Sequence, residues 1–164
     1  MTEGTNTGYP ATAIQRATYE TLSAFPALIA LFGGETPNVW DSVKRGADGK
    51  PIGGTTYIKI GDDQIVGDEV TDQVDETECF STIRVVDEPG DGSGKELSKL
   101  IVGAIRSALI EPEGFEAFAA RVRDHGFICT LGEMRDARHL EPADGLTEIA
   151  VLTFRWELDP LPDL

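Results

Sequence analysis

The residues able to do chemistry are few, and their spacing does not match what the chemistry requires. Gly90-Asp91-Gly92-Ser93-Gly94-Lys95 runs a glycine-rich stretch into a helical pattern, as a phosphate-binding loop does. Such a loop needs a Gly five residues before its Gly-Lys pair, and a Ser or Thr after the Lys to reach magnesium. Position 89 is Pro and position 96 is Glu, so a turn followed by a capped helix accounts for the same residues. His125 and His139 are fourteen positions apart, and neither falls at a zinc spacing from Cys129. Glu133, Asp136 and His139 would share one side of a strand or bulge, but solvated residues look the same. Cys79 and Cys129 form no CxxC and sit in strand patterns, so they read as reduced thiols packed as small core residues. A Ser-His-Asp or Cys-His arrangement assembles in space rather than in sequence, yet no local signal marks a nucleophile. The segment 62–78 carries Asp62, Asp63, Asp68, Glu69, Asp72, Asp75, Glu76 and Glu78 and no base. It lacks the spacing and glycine of a calcium loop and reads as a solvated acidic loop. No catalytic, cofactor or metal residue is assigned.

Composition narrows the classes further. In 164 residues, 40% are hydrophobic, enough for one domain with a genuine core. Fourteen Lys and Arg against twenty-nine Asp and Glu give a net charge of −15. That balance opposes gripping nucleic acid through its phosphates and opposes adhesion to anionic lipid. No apolar run approaches the length of a membrane span. Residues 1–9 have neither the basic nor the apolar region of a secretory signal, and their small polar character predicts a flexible arm. A domain over 10–160 and a short tail over 161–164 follow.

The elements of that domain are legible from spacing. Ile14, Ala17, Leu22 and Phe25, with Thr18 and Thr21, recur at helical offsets. Pro26 ends that helix or opens a second one over 27–32, which Gly33-Gly34 then stops. Val39 to Val43 reads as a short edge strand, and Arg45 to Gly54 as loop. Thr55 to Ile60 reads as a strand with Ile58 and Ile60 on one face. Thr77 to Asp87 is a second strand, directing Cys79, Ile83 and Val85 to the core. Ser93 and Glu96 make a capping box for a helix. Its stripe is Leu97, Leu100, Ile101, Ala104, Ile105 and Ala108, with Lys95, Lys99, Val102 and Arg106 on the opposite side. Pro112 to Ala120 is ambiguous, at most one short helix. Gly126–Leu140 and Leu146–Leu158 close the chain as two strands around a turn at Asp144-Gly145. In the last strand Ala150, Leu152, Phe154, Trp156 and Leu158 alternate with Thr147, Ile149, Val151, Thr153 and Arg155. The expected fold class is α+β, with an antiparallel or mixed sheet of about four to five strands and helices on one face.

These pieces occur in the order of a known family. Tyr19-Glu20-Thr21-Leu22 through Leu28-Ile29-Ala30-Leu31-Phe32-Gly33-Gly34 resembles the opening helices of the tail terminator or tail-completion proteins of long-tailed phages and gene transfer agents. Val39-Trp40-Asp41-Ser42-Val43 and Thr56-Tyr57-Ile58-Lys59-Ile60-Gly61 resemble its first strands. Thr82-Ile83-Arg84-Val85-Val86 before the helix Glu96 to Leu109 is similar to its strand–helix step. Gly126-Phe127-Ile128, Arg135-Asp136-Ala137-Arg138, Asp144-Gly145 and Leu152-Thr153-Phe154-Arg155-Trp156 are similar to its ending. The resemblance spans about residues 14–158 and rests on order and spacing, without a signature residue. The acidic 62–78 segment and the insert Pro112 to Asp124 depart from the pattern.

The resemblance implies a structural virion protein, assembled in a host cytoplasm and located near the head–tail junction. Such proteins form a ring, sixfold like the tube, that caps the tail tube and ends its polymerisation. They then offer a docking surface to neck or head-completion proteins, while DNA passes through the channel without specific binding. The partners it implies are further copies of the chain, the tail tube protein and the neck protein; it brings no cofactor and no catalytic residue. A head-to-tail connector, another tail-completion subunit, and an enzyme with an unsignalled site are the alternatives. Charge suggests where subunits or neighbours meet: the acids of 62–78 on one side, and Lys95, Lys99 and Arg106 at offsets of four and seven on the other.

Overall fold

The computed structural model describes residues 10–42, 44–54, 56–66, 77–87, 94–140 and 148–162. α1 (Pro10–Ala24) starts at a proline, whose missing N–H is harmless in a first turn. It buries Ala13, Ile14, Ala17, Thr18, Thr21 and Leu22. The Thr18 hydroxyl is satisfied by donating to the Ile14 carbonyl at 2.6 Å. α2 (Pro26–Leu31) opens with Pro26 in its first turn and inserts Leu28 into the core. Gly34 N–H donates to the Ile29 carbonyl and Gly33 N–H to that of Ala30. This closes a Schellman cap, with both glycines at positive φ, 75° and 86°.

Five strands form one sheet in the order β1-β2-β3-β5-β4. They are β1 (Val39–Trp40), β2 (Thr56–Val66), β3 (Thr77–Asp87), β4 (Phe127–Leu140) and β5 (Glu148–Pro160). β1 runs parallel to β2 and every other pair is antiparallel, so the sheet is mixed. The expected α+β architecture is observed. α3 (Gly94–Leu109) and α4 (Pro112–Asp124) join α1 against the sheet, and α2 packs on α1 and α3.

β5 lies between β3 and β4, and its alternation decides which face is core: Ala150, Leu152, Phe154, Trp156 and Leu158 are buried. Each large side chain fully removed from water contributes roughly 1.5–3 kcal/mol. Phe154 and Trp156 stack at 5.6 Å, and Phe118 of α4 meets Trp156 at 4.6 Å between ring centroids. The Trp156 indole N–H donates to Ser81 Oγ at 2.8 Å, so burying both polar groups leaves neither unmatched.

Three expectations need correction. The acidic segment is not all loop. After a bulge between Lys59 and Asp62, where Gly61 adopts φ 105°, β2 continues through Asp62 and Asp63 to Val66, and Glu78 belongs to β3. Pairing along β3, from Asp62 opposite Thr82 to Val66 opposite Glu78, overrides the poor strand propensity of aspartate. Pro112 opens a helix of 13 residues that runs to Asp124, past the short helix ending at Ala120 that the spacing suggested. On α3 the buried arc is rotated toward Ser98, Ile105 and Leu109. Leu100 is therefore 51% exposed instead of lying in the apolar stripe. Val102, placed on the opposite side, instead packs on the core margin. The N-terminal arm, Ser93 of the capping box and the Asp144-Gly145 turn lie outside the described residues.

Candidate assembly surfaces

Among the described residues no helix covers the other face of the sheet, and a charge network organises it. Alternation that points Phe154 and Trp156 inward points Arg155 outward. Its Nε donates to Glu78 of β3 at 2.8 Å, one Nη reaches Glu157 of β5, and the other lies 3.5 Å from Glu133 of β4. The hydrogen bonds to Glu78 and then Glu157 hold the guanidinium's pKa above its ordinary value. One cation thus links three adjacent strands. Glu78, nominated with the acidic segment, is engaged inside its own subunit.

The other nominated residues are only partly placed together. Asp62 and Asp63 sit on β2 beyond the bulge. Asp68, Glu69, Asp72, Asp75 and Glu76 lie outside the described residues. Lys99 and Arg106 are exposed on α3, and Lys95 occupies its first turn. Between the two exposed cations lie Leu100 and Gly103, the latter with no neighbouring atom within 4 Å of where a side chain would begin.

A third surface was not anticipated from sequence. A cleft of about 590 Å³ opens between α1 and β1, lined by Arg16, Tyr19, Val39, Trp40, Ile52 and Ile60 among others. Its floor is Val39 and Ile60, both buried. Its walls are Tyr19, Trp40 and Ile52, with Trp40 stacked on Tyr57 at 5.0 Å. The missed signal lay on the polar side of α1: Thr12, Gln15, Arg16 and Tyr19 follow helical spacing as closely as the core stripe does. Ile52 gave a second hint, being a large apolar residue within a stretch otherwise read as loop.

Reactive chemistry finds little footing among the described residues. Burial pushes the Cys129 thiol up to about 12, which makes it a poor nucleophile. Cys79 is fully buried. His125, just beyond α4, contacts Glu20 of α1 through Nε2 and ties the two helices. Glu133 faces Arg135 and Arg155, and Asp136 faces Arg138. No group of three or more His, Cys, Asp or Glu side chains able to hold a metal occurs among the described residues. No described helix is long and apolar enough to cross a membrane.

Comparison of the whole chain with solved structures finds the same fold elsewhere. A chain in the structure described as "Virion of native gene transfer agent (GTA) particle" matches with a TM-score of 0.59 and 22% sequence identity. The match covers 93% of this chain and 98% of that chain. The two share a fold. No family model and no curated protein matches the sequence.

Proposed function

We propose that this chain is a non-enzymatic structural protein of a phage-like or gene-transfer-agent virion, acting as a tail terminator. In this reading copies of the chain form a ring, sixfold like the tube beneath it. The ring caps the tail tube, ends its polymerisation and presents a docking surface to the neck or head-completion protein. The observation that carries the reading is the fold shared, over nearly the full length of both chains, with a chain of a gene transfer agent particle. The ordered resemblance of the sequence to tail-completion proteins supports the narrower role.

Charge is compatible with both tasks. A net charge of −15 repels phosphate, so DNA crosses a channel through such a ring without adhering. Subunits meet through heterologous contacts, the kind that close rings. The acids of 62–78 other than Glu78 approach Lys95, Lys99 and Arg106 of a neighbour, guiding orientation more than adding affinity. Deleting the gene tests the role. The expected particles are DNA-filled heads, with tails that fail to join or that exceed normal length. Empty heads beside normal tails of normal length would overturn it.

A further inference from the structure

β4 ends the sheet on the side opposite β1, and among the described residues no strand lies along its outer edge. Over 14 residues that edge offers backbone donors and acceptors to which another strand can add. Leu131 and Leu140 leave apolar surface in water on it, at 36% and 45% exposure. They bracket the charged run Glu133, Arg135, Asp136 and Arg138.

Charges on an edge strand normally turn partners away. These fit one partner, the same strand reversed. Consider a second copy laid antiparallel about a two-fold axis between Arg135 and Asp136. Arg135 then falls opposite Asp136, Glu133 opposite Arg138 and Leu131 opposite Leu140, each pair occurring twice. Opposite charges meet at all of these charged positions, and leucine meets leucine at both ends.

Side-chain direction agrees with this register. Leu131, Glu133, Asp136, Arg138 and Leu140 pair with Glu157, Arg155, Thr153, Val151 and Ile149, which alternate with the buried residues of β5 and share the face away from the core. In a regular strand odd and even positions face opposite ways, so Glu133 and Arg138 would not share a face. The bulge at Arg135, between Met134 and Asp136, adds the residue that aligns them. Within one chain Arg135 pairs with Glu133 and Arg138 with Asp136, all largely exposed. Such surface pairs are weak, so sharing them with a second copy loses little.

We propose that the free chain pairs with a second copy through β4, antiparallel about this axis, so that the two sheets run on as one. The contact is isologous and cannot close a ring. It therefore belongs to the unassembled chain, apart from the heterologous contacts of the ring reading, and covers an edge that would otherwise template aggregation. A strand pair alone is a small interface, so the dimer is weak and depends on concentration.

Sedimentation of the full chain should show a dimer that grows with concentration. Leu131→Cys and Leu140→Cys chains test the register. Under mild oxidation their mixture should form a disulfide-linked dimer, while neither variant alone should. Nine residues of strand, about 30 Å, would separate each new thiol from its own counterpart, and the native Cys79 and Cys129 are buried. Charge gives an independent arm. Arg135→Glu with Arg138→Glu makes the edge wholly acidic, and Glu133→Lys with Asp136→Lys makes it wholly basic. Each edge should weaken self-association at least about tenfold, and mixing the two chains should restore the dimer. Circular dichroism confirms folding, and the cysteine pair decides if Glu133→Lys, which loses its contact to Arg155, unfolds the chain. A chain monomeric at every concentration, no cross-link in the mixture, single variants that cross-link as readily as the mixture, or a dimer indifferent to both charge changes overturns the proposal. Absence of the chain from particles would overturn the ring reading and leave the β4 pairing standing.

Discussion

Gly132 on β4 stands directly across from Trp156 on β5, so close that a Cβ added to it would lie 2.4 Å from the indole Cζ3. Real Cβ atoms do not approach other atoms that closely. The largest core side chain therefore occupies space that any other residue at position 132 would need, with Phe115 of α4 closing the far side at 3.0 Å.

Gly132→Ala should therefore destabilise the subunit by about 1–3 kcal/mol, the usual cost of overpacking a filled core. Gly103→Ala is the opposite control, because nothing lies near its new methyl group. It should stabilise α3 by about 0.5–1 kcal/mol by removing a glycine from a helix interior. Urea melts of both variants check the opposed signs.

Adjacent residues on β5 should behave differently. Phe154 is fully buried, and Phe154→Ala should cost about 3–5 kcal/mol. Arg155→Ala leaves Glu78, Glu133 and Glu157 clustered without their shared cation. Its cost should be smaller, and added salt should recover part of it by screening the like charges. A Phe154→Ala loss that tracks salt as Arg155→Ala does would place the strand one residue out of register.

Cys129 links stability to alkaline pH. Its thiol rises from an ordinary 9.0 to about 12 in the folded chain because burial disfavours the thiolate. The unfolded chain then releases this proton first, so stability present below pH 9.0 is lost as pH climbs toward about 12. The slope is about 1.4 kcal/mol per pH unit within that window. Cys129→Ala should flatten the slope in melts recorded from neutral to alkaline pH. The native thiol should also resist alkylation at pH 8 until the chain unfolds.

Reversing Lys95, Lys99 and Arg106 to Glu tests the α3 contact. The chain should stay folded by circular dichroism while its assembly on tail tubes falls, and Lys substitutions within 62–78 should restore part of it. Electron microscopy of purified particles counts the outcome. Undiminished assembly with unchanged salt dependence would leave the α3 stripe as a solvated face.

The sequence carried the elements whose signal is local. The Ile14–Ala17–Leu22 spacing of α1, the cap at Gly33-Gly34, the alternation of Phe154 and Trp156 around Arg155, and the bounds of β3 all follow from the 3.6- and 2-residue periods and from turn chemistry. Pairing was not local, and there the structure ruled. Asp62 and Asp63 joined a strand because β3 offers their backbone hydrogen-bond partners, a gain no propensity within 62–78 records. Leu100 was left exposed because the neighbours packed around α3 rotate its buried arc toward Ser98 and Leu109, a choice an isolated amphipathic stripe does not contain. The cleft has the same origin: Arg16, Trp40 and Ile52 come from a helix, an edge strand and a loop, and only packing α1 against β1 puts them around one space.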